Sequence, residues 1–150
     1  MAAPSSWQIY DQFLLGLGKK EHNLNADSFK VALFLSTSDC GNKAHSTARY
    51  GDFTNQHANA NGYTTGGASA GTGSYTNAAG VETFDVSDVT WTASGGSIVA
   101  RFAVLYNDTH ANDQAVAYCV LDNAPADITI TTGNQLSLLI ANVLTLARSA

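Results

Sequence analysis

The sequence predicts a mainly β chain: an antiparallel β-sandwich or jelly-roll-like domain with one short N-terminal helix. Three observations lead there. From residue 81 onward, short apolar runs with a period of two recur at regular spacing, each bounded by turn residues. Gly, Ser, Thr and Asn together fill about a third of the chain, a composition suited to short strands and loops. Only one stretch has helical spacing, and no second helix is long enough for a βαβ unit. At 150 residues the chain is one domain's length, and such a domain buries roughly 70% of the surface its unfolded form exposes. Residues 1–150 are therefore read as a single β domain.

The helix is expected over residues 5–18, where Trp7, Tyr10, Phe13, Leu14 and Leu17 fall on one face. Ser5 and Gln8, just after Pro4, match a capping box, and Gly16, Gly18, Lys19 and Lys20 supply a stop. Its aromatic stripe either covers one end of the β core or inserts into a neighbouring subunit. Next, Ser28 to Thr37 alternates, with Phe29, Val31, Leu33 and Leu35 on the inner face. Residues 38–80 are rich in Gly and Asn and nearly free of aliphatic side chains larger than Ala, so they read as a long loop or arm. The pair Asn61-Gly62 inside it marks a tight turn.

The main strand region spans 81–146. Strands are expected at Val81–Val86, Asp88–Ala93, Ser97–Tyr106, Gln114–Leu121, Ile128–Thr132 and Leu136–Leu146, separated by turns that include Asn107-Asp108 and Asn123 with Pro125. The run from Ser97 to Tyr106 is apolar on both faces and so should be central. Phe29, Val31, Leu33, Phe102, Val104, Leu138 and Ile140 are the expected core.

A net charge of −5 with seven Lys and Arg argues against nucleic acid or an anionic membrane as the main partner, because both need a concentrated positive patch. No run approaches the length of a transmembrane helix. The opening MAAPSSW lacks the basic-then-apolar order of a secretory signal, so the coding start is expected to be the mature start. Cys40 and Cys119 lack metal-site spacing and read either as free thiols or as one long-range disulfide.

Chemistry-bearing motifs are sparse. His22, His45, His57 and His110 follow no HxH or HxxxH pattern, which leaves them as surface or hydrogen-bonded histidines. There is no GxSxG elbow or P-loop, and Asp85 with Asp88 fits a solvated turn better than a catalytic carboxylate pair. The expectation is no catalytic residue, no metal and no cofactor. Tyr50, Tyr63 and Tyr75 in the loop, with Trp7 and Trp91, could instead form a stacking platform for sugars.

Several segments, taken in order, carry a resemblance. Gly18, the His22-Asn23-Leu24 step, Asp27 to Val31, Asn61 to Gly67, Thr92 to Ile98 and Arg101 to Thr109 resemble small virion structural proteins of tailed bacteriophages across about residues 7–146. The stretch Thr92 to Thr109 is the most specific part, and Cys40 to Ala60 the least. The resemblance implies a component of the particle. Low charge and a mostly uncharged polar surface agree with a subunit covered by partners. Among virion components, the head decoration (cement) proteins, which bridge capsid subunits, fit best. The expected partners are then the major capsid protein and copies of the chain itself, and the expected location is the virion head surface after assembly in the host cytoplasm. The expected contact residues are Trp7, Tyr10, Phe13 and Leu17 on the helix and Tyr50, Tyr63 and Tyr75 on the loop. A tail or neck component and a carbohydrate-binding β-sandwich module are the alternatives.

Overall fold

A computed structural model describes residues 5–122 and 126–148. The expected turn at Asn123 and Pro125, and Pro4 ahead of the helix, lie outside the described residues. Among those described, the chain is mainly antiparallel β with one α-helix, as the sequence predicts. In order the elements are β1 (Gln8–Ile9), α1 (Asp11–Gly18), β2 (Ser28–Phe34), β3 (Ala68–Thr72), β4 (Ser74–Ala78), β5 (Val81–Asp85) and β6 (Val89–Thr92), then β7 (Ile98–Ala100), β8 (Phe102–Asn107), β9 (Ala115–Val120), β10 (Ile128–Ile130), β11 (Gln135–Leu138) and β12 (Leu144–Ala147).

The second half is one long hairpin wound on itself. β8 pairs with β9, β7 with β10, β6 with β11 and β5 with β12, each antiparallel, so the pairs nest around the turn between Asn107 and Gln114. Nested pairing of this kind is the jelly-roll pattern. β8 also takes β2 on its other side, giving the sheet order β1-β9-β8-β2-β3 and placing β8 at the centre, where a strand apolar on both faces belongs.

Two runs expected as single strands are split, because each changes sheet partway. Arg101 separates β7 from β8: its amide donates to the Phe34 carbonyl and its carbonyl accepts from Leu121, while β7 turns away to pair with β10. Leu136 to Leu146 breaks between β11 and β12, with Asn142 at φ 52° and the Ile140 amide capped by the Asp88 carboxylate at 2.6 Å.

The N-terminal expectation needs correcting more fundamentally. Helix α1 begins at Asp11, and residues 5–10 run along the edge of β9 instead. Ser5 does not cap the helix: its hydroxyl accepts from the Val120 amide, its own amide donates to the Val120 carbonyl, and Tyr10 donates to Val116. An unpaired sheet edge offers backbone partners to every second residue, which a first helical turn leaves unmet.

The long loop also proves more ordered than its composition suggests. It supplies β3 and β4, and its remainder is tied to the central sheet. His57 donates to Leu33, Leu35 to Asn55, and the Gln114 side-chain amide donates to the Thr47 and Ala48 carbonyls. Phe53 packs edge-on to Phe34 and stacked with Tyr10, burying an aromatic cluster against β2. Asn61 and Gly62 form the expected turn, both at positive φ (60° and 88°), with Tyr63 donating to Ala60.

Of the expected core, Phe29, Val31, Leu33, Val104, Leu138 and Ile140 are buried. Phe102 is only half-buried, because it begins β8 where the chain leaves the other sheet. Cys40 and Cys119 are both free and buried, and burial pushes each thiol up to about 12, so neither is a ready nucleophile. Truncating Phe34 to Ala is expected to cost about 3–5 kcal/mol in urea unfolding, and Phe102→Ala distinctly less. Equal losses would contradict the placement of the two rings.

Candidate functional site at the hairpin tip

The turn that joins β8 to β9 folds against the segment following α1. Asp108 and Thr109 anchor it to the start of β2: Asp108 donates its amide to Ser28 and pairs with Lys30 at 2.9 Å, and the Thr109 hydroxyl accepts from the Ser28 amide. Asn107, the last residue of β8, is fully buried. Its side-chain carbonyl accepts from the Thr109 and His110 amides at 3.0 and 3.1 Å. Its NH2 group donates to Asp27 at 2.7 Å and to Nδ1 of His22 at 3.1 Å. The two backbone donors and the carboxylate acceptor permit only this orientation of the amide.

That orientation decides the state of His22. A ring nitrogen that accepts a hydrogen bond carries no proton, so the proton of neutral His22 is on Nε2. His22 is only 9% exposed, between the rings of Phe13 (4.8 Å) and His110 (5.0 Å), and its Nε2 has no hydrogen-bond partner. His110 is held the same way, since the Asn112 amide donates to its Nδ1 and leaves Nε2–H as the donor. Burial first and His110 second push the pKa of His22 below its ordinary value, against the opposing pull of Asp27 and Glu21. Charging His22 would also set an Nδ1–H against the Asn107 NH2.

Glu21, His22 and His110 converge, each with one ligand-type atom within 4.8 Å of the others. A transition metal would need the Nε2 lone pair of both histidines and an acceptor behind each Nδ1–H. Here both Nδ1 atoms face donors, so these residues do not fit a metal centre. What the geometry places together is the Nε2–H of His22 and the Glu21 carboxylate, both against Gly16, with the His110 ring 5.0 Å from that of His22. Gly16 of α1 leaves room for this, because a Cβ there would lie 2.9 Å from both Glu21 Oε2 and His22 Nε2.

Two clefts flank the cluster. A polar one of about 320 Å³ is lined by Gln12, Lys19, Glu21, Arg49, His110 and Asn112, among others. A larger one of about 710 Å³ runs past Leu17, Leu24, Tyr75 and Leu146.

The contact residues expected from sequence scatter. Leu17 and Tyr75 are brought together, both lining the larger cleft. Trp7 is half-buried beside the core. Tyr10 and Phe13 are fully buried in the chain's own core, with the Tyr10 hydroxyl donating to Cys40, so neither offers an exposed stripe. Tyr63 is buried as well, its hydroxyl accepting from Leu33 and Gln56. Tyr50 stacks on Tyr106 at 4.5 Å and donates to Gln56. The three loop tyrosines therefore form no sugar-stacking platform. The grouping of His22 and His110 with Glu21 is not legible in the sequence because 88 positions separate the two histidines, and only the wound hairpin closes that gap.

Compared with protein-family models, with curated proteins and with solved structures, the chain shows no match.

Because the folded pKa of His22 lies below the ordinary 6.5, the unfolded chain takes up the proton first. Stability from this residue is complete above about pH 6.5 and is lost as pH falls toward the folded value. Replacing Asn107 with Asp would put an acceptor behind Nδ1, and the His22 titration followed by proton NMR is expected to move upward. No movement would contradict the assigned hydrogen bond.

Proposed function

We propose that the chain is a non-enzymatic virion structural protein of a tailed phage, a head decoration (cement) protein that bridges and stabilises capsid subunits. The observation that supports this most is a set of exposed leucines on α1 and in the C-terminal strand region. Leu14 and Leu15 on α1 are 44% and 52% exposed, Leu146 on β12 is 40% exposed, and Leu139 after β11 is 75% exposed. Leu146 continues into the cleft that holds Leu17 and Tyr75. With charged residues at only 13% of the chain, covering these leucines against a partner is favourable.

The resemblance of Thr92 to Thr109 and its companions to virion proteins supplies the class of partner: the major capsid protein and further copies of this chain. Each leucine contributes little alone, about 1–2 kcal/mol when its exposed part is covered. A lattice multiplies such contacts, since one subunit or oligomer touching several capsid proteins gains from effective concentration. The acidic net charge and the lack of a basic cluster in the sequence argue for contact with protein rather than the packaged genome.

Replacing Leu14 and Leu15 together with Glu is expected to leave the circular dichroism spectrum unchanged and to reduce occupancy on purified particles at least tenfold. Particles without the protein should rupture at lower temperature. Full occupancy of the double variant, or location on the tail alone, would overturn the cement role.

A further inference from the structure

We propose that the exposed face of α1 pairs with the same face of a second copy of this chain, the two helices running antiparallel across a two-fold axis between Leu14 and Leu15. The pairing rests on the virion reading only in that copies of the chain are named there as partners. It starts from the helix itself. Of its eight residues, Phe13 and Gly16 are buried, Gln12 and Leu17 are half-buried, and Asp11, Leu14, Leu15 and Gly18 are exposed. Those four stand at spacings of three and four, so they form one continuous stripe on the side turned away from the core. The middle of the stripe is apolar, with Leu14 and Leu15 44% and 52% exposed. Asp11 stands at one end, and Lys19 follows Gly18 at the other.

The symmetry of the stripe decides what covers it. A copy turned about the midpoint of the helix sets Leu14 against Leu15 of the second copy, and Asp11 against its Gly18. Helical side chains lean toward their own N-terminus. Asp11 therefore leans past Gly18 of the second copy to its Lys19, while Lys19 leans back toward the second copy's Asp11, and the two-fold makes this ion pair twice. A parallel pairing would instead set like charges together. Among the described residues neither Asp11 nor Lys19 is in a salt bridge. Gly18 also leaves the helix end open, since a Cβ added there would meet nothing within 4 Å.

The size of the contact sets its strength. A helix of this length spans about 12 Å, and packed helix axes lie about 8–10 Å apart. Four leucines and two ion pairs cover much less than the roughly 1,200 Å² of a stable interface. The pair is accordingly weak in solution. On a lattice that weakness is tolerable, because neighbouring copies are held at high effective concentration, and loss of the pairing would lower occupancy by removing that gain.

Sedimentation equilibrium of the purified intact chain, without particles, tests this from about 10 μM to about 1 mM. A monomer–dimer equilibrium with its midpoint inside that range is expected. Asp11→Lys or Lys19→Asp, both at exposed positions, should each weaken it about tenfold by setting like charges together twice, and the two combined should restore it. The combined variant carries the charges least suited to the helix's own ends, so its recovery would not come from a better helix. A chain that stays monomeric to about 1 mM would overturn the proposal and leave the leucines to the capsid protein. A dimer indifferent to either reversal would overturn it too, as would a combined variant no stronger than the single ones. Absence from particles, alongside a dimer that responds as described, would remove the cement role and leave the pairing standing.

Discussion

Much of the molecule's second half turns on one fully buried amide. Asn107 ends the central strand, and its side chain bonds the turn that follows, the Asp27 carboxylate and the ring of His22. An amide placed in a core without partners is costly, and this one is stabilising only because every polar atom it carries is matched. Those bonds fix three things together: the geometry of the β8–β9 turn, the path of the chain between α1 and β2, and the proton on His22. A surface feature, the polar cleft, is thereby set by a core residue.

The turn matters because the remaining pairs are wound from it. Once β8 and β9 are in register, β7 meets β10, β6 meets β11 and β5 meets β12 along the same antiparallel course. β2 then occupies the free side of β8, and the segment between β2 and β5 folds back to cover that sheet with Phe53, Tyr63 and Ala48. Aromatic contacts and backbone bonds to Leu33 and Leu35 do the work that aliphatic side chains do elsewhere. The consequence for association is a division of surfaces. The long segment is consumed in building the fold, while the leucines of α1 and β12 remain outside it.

How much of this could be read in advance follows from what each element is made of. β2, β8 and β9 alternate or run apolar with large side chains, and their places were evident. β3 and β4 were not, because Ala, Ser, Gly and Thr give no apolar alternation, and what recruits them is the neighbouring edge of β2 and the hairpin to β5. Residues 5–10 carry spacing that serves a helix or a strand equally, and the open edge of β9 settled it. Tyr10, Phe13 and Tyr63 were expected at a partner surface since nothing in their spacing shows that the chain itself supplies their neighbours. The histidine cluster was invisible for a different reason. Its geometry depends on a hydrogen bond across 85 positions, and no local pattern encodes it.

The central claim is that Asn107 holds His22 neutral with its proton on Nε2. Nitrogen-15 NMR of the imidazole rings at neutral pH measures this directly, since a bare and a protonated ring nitrogen resonate far apart. The account predicts a bare Nδ1 and a protonated Nε2 in His22, with charging that sets in at a lower pH than in an ordinary histidine. A proton on Nδ1, or a fully charged ring near pH 6.5, would contradict it.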